Sequence, residues 1–194
     1  VRMFVAVRPP EAAVEHLEAF LADRREHAAF RWTPAEQLHL TLAFAADVPD
    51  HDVEPLLDGL EAAAGRRTPF EARLAGGGSF PDAARARVLW AGLDLGAAAA
   101  ARTELDRLAA GARTAVARAG LAVDGQRFRP HVTVARLGRP EDVTRWVRVL
   151  DTYDGPAFTV DHVELVASHL GEGPRRRPRH EVLAEVPLGG APRE

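Results

Sequence analysis

The chain has 194 residues, 46% hydrophobic and 27% charged, with a formal charge of −3 and no cysteine. That size and balance suit one compact unit or two small lobes sharing a core, while the missing thiols exclude disulfides, thiolate zinc sites and cysteine nucleophiles. All 25 basic residues are arginine, which also excludes a Schiff base, a Walker-type phosphate lysine and a lysyl-nucleotidyl intermediate, and the slightly acidic balance argues against electrostatic coating of long nucleic acid.

The opening VRMFVAV has none of the regions of a signal peptide, and no apolar run approaches the ~18 residues of a membrane span. A cytoplasmic location is therefore expected. Arg2 to Val7 reads as a strand, and Pro9-Pro10-Glu11 opens a helix to about His27 with Val14, Leu17, Phe20 and Leu21 on one face. Thr33-Pro34 breaks the chain before LHLTLAF (residues 38–44), an apolar strand carrying a histidine and a threonine two places apart. A helix follows from about Asp52 to Ala64, then strands at Phe70 to Leu74 and Val88 to Leu93. The intervening Gly76-Gly77-Gly78-Ser79-Phe80-Pro81 lacks the Gly-Lys-Ser/Thr of a phosphate loop and is expected to be a flexible turn. Ala97 to Ala119 reads as a helix stopped by Gly120. Phe158 to Leu170 and Val182 to Leu188 read as strands around the polar loop 171–179, and the last six residues as a frayed tail. This order indicates an α+β architecture.

The histidine and threonine of the first motif recur. FRPHVTVAR (residues 128–136) repeats the pattern of His39-Leu40-Thr41-Leu42 in His131-Val132-Thr133-Val134, 92 positions on, from 39 to 131. Residues i and i+2 of a strand share a face, so each histidine stands beside its threonine while the aliphatic neighbours enter the core. A single His-x-Thr on a strand is commonplace. Two copies, if they meet, place two imidazoles and two hydroxyls around one groove. Imidazoles titrate near neutrality, so one can accept a proton while the other donates one; hydroxyls and guanidinium groups can hold phosphate oxygens. That is equipment for phosphoester cleavage without metal or other cofactor, and no spacing typical of a zinc site accompanies it. Of the remaining histidines, His16, His27 and His51 are expected in solvent, while His162, His169 and His180 are candidates to support the groove.

HLTLAF and HVTVAR resemble the paired His-x-Thr/Ser-x motifs of the 2H phosphoesterase superfamily. More narrowly, FRWTPAEQLHLTLAF, GSFPDAARARVLWAGLD, RFRPHVTVARL and VELVASHL look like its RNA 2',3'-cyclic phosphodiesterase branch, historically called 2'-5' RNA ligase. The resemblance implies a single bilobal unit spanning residues 1–194, two antiparallel sheets with outer helices around a central groove, working as a monomer. It also implies hydrolysis of a 2',3'-cyclic phosphate, on an RNA end or nucleotide, to a 2'-phosphomonoester. His39 would be the proton donor and His131 the proton acceptor, with Thr41 and Thr133 on the phosphate and Phe44 and Arg136 as substrate contacts. Strand parity objects to the last two: each lies an odd number of places after its histidine and faces the core unless the strand bends or ends near Ala43 and Ala135. Trp32 is open between stacking on a base and covering the core. Where many relatives have a tyrosine after the last hairpin, this chain has Arg179-His180-Glu181. Arg175-Arg176-Arg177 either tracks an RNA strand or is a solvated hairpin tip. Two rival readings are ATP-independent 2'-5' joining at the same site and a non-catalytic module that binds RNA ends.

Overall fold

The computed structural model describes residues 1–190, so most of the expected C-terminal tail lies outside the described residues. Strands β1 (Arg2–Val7), β2 (Arg31–Trp32), β3 (Leu40–Ala45), β4 (Phe70–Phe80), β5 (Ala86–Asp94), β6 (Val132–Glu141), β7 (Phe158–Val160), β8 (His162–His169) and β9 (Arg179–Pro187) form one antiparallel sheet. Its order is β7-β4-β5-β6-β3-β1-β8-β9, with β2 added to β6. The two expected sheets are the two halves of this order, joined at its centre through the single register pair Leu40↔Val132. Those residues are the second positions of the two motifs, so the motif strands are the innermost pair.

Among the described residues, four α-helices cover one face: α1 (Glu11–Arg25), α2 (Asp50–Gly65), α3 (Ala99–Arg118) and α4 (Thr144–Leu150). Helix α1, which follows β1, packs against β4 in the other half, and α3, which follows β5, packs against β3. This exchange ties the halves into one apolar core containing Leu17, Leu40, Leu42, Leu60, Leu74, Leu105, Val132, Val134 and Leu165. The alanines of α3 have a packing reason. A Cβ on Gly59 of α2 would stand 3.0 Å from that of Ala115, so the two helix backbones approach closely where only small residues fit.

The glycine-rich segment is not a turn. Gly77, Gly78, Ser79 and Phe80 pair with Ala91, Trp90, Leu89 and Val88, and β4 runs straight through them. The glycines are needed because the Trp90 indole lies over Gly78, where a Cβ would come within 2.4 Å of the ring, and Leu150 crowds Gly77. A tertiary contact there overrides a local turn signal. The expected strand 158–170 divides at Asp161, since β7 pairs with β4 while β8 pairs with β1 at the other side of the sheet. Strand β9 starts at Arg179, ahead of the expected Val182, because Arg179, His180 and Glu181 continue the hairpin register opposite His169, Ser168 and Ala167.

Candidate active site

The face opposite the helices carries the polar residues. A cavity of about 410 Å³ is lined by His39, Thr41 and Phe44 from the first motif and His131, Thr133 and Arg136 from the second, so all six expected site residues share it. Phe44 and Arg136 owe their place to a matched pair of irregularities. Between β1 and β3, Val5 faces Ala43 and Ala6 faces Thr41, leaving Leu42 as an extra residue. Between β5 and β6, Leu89 faces Ala135 and Trp90 faces Thr133, leaving Val134 as an extra residue. Each extra residue is a β-bulge that resets the alternation. In one strand Leu40, Leu42, Ala43 and Ala45 are buried while Thr41 and Phe44 are half-buried. In the other Val132, Val134, Ala135 and Leu137 are buried, Thr133 is half-buried and Arg136 is exposed. The parity objection fails because simple alternation does not continue past the bulge.

The imidazoles are oriented by the same device. His39 Nδ1 is 2.6 Å from the Gln37 carbonyl, and His131 Nδ1 is 2.6 Å from the Arg129 carbonyl. A carbonyl can only accept, so Nδ1 carries the proton in both rings and each neutral Nε2 keeps its lone pair free. Aromatic neighbours hold the ring planes. Phe4 stacks on His39 with centroids 4.5 Å apart, and His180 meets His39 edge-on at 5.7 Å. Phe80 meets His131 edge-on at 4.8 Å, with Trp90 at 6.0 Å.

The surroundings are cationic although the chain is acidic overall. Arg2, Arg31, Arg136 and Arg177 all line the cavity, and Arg2 lies over the Phe44 ring at 5.1 Å, a cation–π contact that fixes both side chains. Burial pushes the His39 imidazole down to about 4; its bond to the Gln37 carbonyl opposes this, and the nearness of His180, Arg136 and His131, each a group that can carry positive charge, adds to it. His131 is also held below the usual imidazole value, by burial first and then by Arg136 and Arg129. The groove is therefore built to accept negative charge, with both imidazoles neutral at pH 7.

Residues that the sequence did not single out complete the groove: Phe4, Gln37, Arg2, Arg31 and Ser168. The backbone carbonyls of Gln37 and Arg129 were findable, since they occupy the same offset in the two repeats. Phe4 was not, because it reaches the site only through the pairing of β1 with β3. Of the other histidines, His180 lines the groove, whereas His162 pairs with Asp161 and His169 with Glu181. Trp32 packs on Phe30 and Trp146 and so covers the core, and it also lines the groove. The arginine cluster divides: Arg177 turns inward and donates to the Trp32 carbonyl at 2.9 Å, while Arg175 and Arg176 stay exposed at the tip.

Residues 4–172 match the family described as the 2'-5' RNA ligase superfamily. The chain belongs to that superfamily. This agrees with the resemblance carried by the paired motifs. An RNA 2',3'-cyclic phosphodiesterase of Geobacillus stearothermophilus is 30% identical over 195 residues, and the match takes in 97% of this chain but only 58% of that longer relative. Another protein of that name, from Aquifex aeolicus, is 29% identical over 82% of each chain. In structure the chain is similar to E. coli LigT crystallised with 3'-AMP, at a TM-score of 0.75 and 27% identity, covering 96% of this chain and 97% of that one. A crystal structure of a Thermus thermophilus protein gives a TM-score of 0.76 and 28% identity, covering 98% and 100%. No helix among the described residues is long and apolar enough to cross a membrane.

Proposed function

We propose that this superfamily member hydrolyses 2',3'-cyclic phosphates on RNA ends or nucleotides, leaving a 2'-phosphomonoester, with His39 as general acid and His131 as general base. The observation that carries the reading is the duplicated geometry: two imidazoles with free Nε2 atoms and two threonines on one arginine-lined cavity. In the reaction a water oxygen attacks phosphorus and its proton passes to Nε2 of His131. The P–O3' bond breaks, and His39, which takes a proton from solvent onto Nε2 when the anionic substrate binds, gives that proton to the departing 3' oxygen. Thr41, Thr133 and Arg136 hold the non-bridging oxygens, whose charge grows in the transition state. Two imidazoles provide both proton transfers, so the proposed mechanism needs no metal, and a monomer contains the whole site. A cytoplasmic setting fits substrates generated by RNA cleavage. The names of the similar Geobacillus and Aquifex proteins support this substrate class, and LigT structures bearing 3'-AMP and phosphate support nucleotide and anion binding at this fold.

The test is hydrolysis of 2',3'-cyclic nucleotides and cyclic-ended oligonucleotides with EDTA present. Each of His39→Ala and His131→Ala should lower turnover by roughly 10² to 10⁴. Full activity in both variants would overturn the reading. End-group analysis of the products separates hydrolysis from 2'-5' joining.

A further inference from the structure

We infer that a second cavity, of about 230 Å³ and opening beside His39, receives the base of the terminal nucleoside; the inference rests on the cyclic phosphodiesterase reading above. In-line displacement sets the attacking water and the departing oxygen on opposite sides of phosphorus. The departing 3' oxygen belongs to the ribose, so the nucleoside must extend on the side of the general acid, which is His39.

The two imidazoles differ in the way this requires. Each has aromatic neighbours, Phe80 and Trp90 beside His131 and Phe4 and His180 beside His39, but His131 does not line the second cavity. His39 does line the second cavity, which adjoins the first, Phe4, His39 and His180 lining both. Its lining suits a flat, partly polar ring. Phe4 and Val166 belong to a small apolar cluster on this face of the sheet, His180 contributes an aromatic ring, and Val182 adds an aliphatic surface. Apolar and aromatic surface is what a base needs for stacking.

The polar part is the ion pair of Arg8 with Glu164, 3.1 Å apart, in which the glutamate side chain is only 5% exposed. Arg8 is steadied further by the Glu36 carbonyl. A neutralised pair offers N–H donors and a carboxylate acceptor to the edge of a base without repelling the phosphate next door. The cavity falls below the roughly 300 Å³ lower bound of drug-sized sites, a size for one base with the sugar and phosphate left in the neighbouring groove.

The experiment compares 2',3'-cyclic AMP with base-free ribose 2',3'-cyclic phosphate in the wild-type chain and in Val182→Trp. Val182 is 38% exposed on β9, so a larger side chain there enters the cavity without entering the core. The wild-type kcat/KM ratio of nucleotide to base-free substrate should exceed one by about tenfold, the scale of one stacked base, and Val182→Trp should abolish that advantage. A variant with wild-type thermal stability that keeps the ratio would overturn the subsite; Val182→Phe is the second variant if the first does not fold. A parallel titration with 2'-AMP and inorganic phosphate reads the same preference without turnover. Absence of hydrolysis by the wild-type chain would overturn the enzymatic reading, whereas an unchanged ratio of 2'-AMP to phosphate affinity in Val182→Trp would overturn the subsite itself.

Discussion

Filling the groove with sulfate, an anion that does not titrate near neutrality, should draw a proton from solvent onto His39. In the free protein that imidazole is pushed down to about 4 by burial and by its cationic neighbours, so it is neutral at pH 7. Bringing it to half protonation at pH 7 requires a rise of about three units, or ~4 kcal/mol of favourable interaction with an anion. A single negative charge ~4 Å away at an effective dielectric constant of ~20 supplies about that amount. Sulfate binding at pH 7 should therefore take up at least about half a proton per site. Calorimetric titration in two buffers of different ionisation enthalpy measures this uptake directly, and imidazole NMR signals assign it. His39→Gln should lose the share of the uptake that the NMR signals assign to His39 and keep any share assigned to His131. A free-protein midpoint for His39 at or above 6.5, or sulfate binding without proton uptake, would refute the idea that the substrate's own charge arms the acid.

Three further outcomes follow from the geometry. Because folding lowers the pKa of His39 from the ordinary imidazole value of 6.5 to about 4, the unfolded chain takes up its proton first; stability is intact above about pH 6.5 and is lost by up to about 3 kcal/mol as pH falls toward about 4. Urea unfolding at about pH 7.5 and about pH 4.5 should show His39→Gln losing less stability than wild type over that interval, and equal losses would contradict the assignment. Replacing Thr133 by valine removes one hydroxyl donor to a charged oxygen, worth ~1.5–3 kcal/mol, and should reduce kcat/KM for a cyclic nucleotide by roughly 10- to 150-fold. An effect below about twofold would mean that the hydroxyl does not touch the phosphate. In Gly78→Ala the new methyl collides with the Trp90 indole. It should lower stability by about 1–3 kcal/mol, read by thermal or denaturant unfolding, and reduce activity through the Trp90 contact with His131; an unchanged unfolding midpoint would show that the indole can move aside freely.

Much of the candidate active site was legible in the sequence because its pattern is written twice. His39 with Thr41 and His131 with Thr133 recur at one offset on strands of the same apolar pattern, and period-two alternation is enough to put each pair on a shared face. Helices α1, α2 and α3 were equally legible from their apolar stripes, since a helix closes its hydrogen bonds within one segment, whereas the short α4 was not read from the sequence. What the sequence left open were the features that arise between segments. The bulges at Leu42 and Val134 exist only against the partner strands β1 and β5, and they put Phe44 and Arg136 on the groove. The glycines before Phe80 read locally as a turn, but Trp90 on the neighbouring strand makes them part of β4. Phe4 and His180 reach His39 from β1 and β9, strands distant from it in sequence. Alternation within a strand is a local property of the backbone, so the residue order alone was enough to pair each histidine with its threonine. Register and close approach are set by two strands at once, so the side chains that surround those pairs emerge only when the strands come together in the folded sheet.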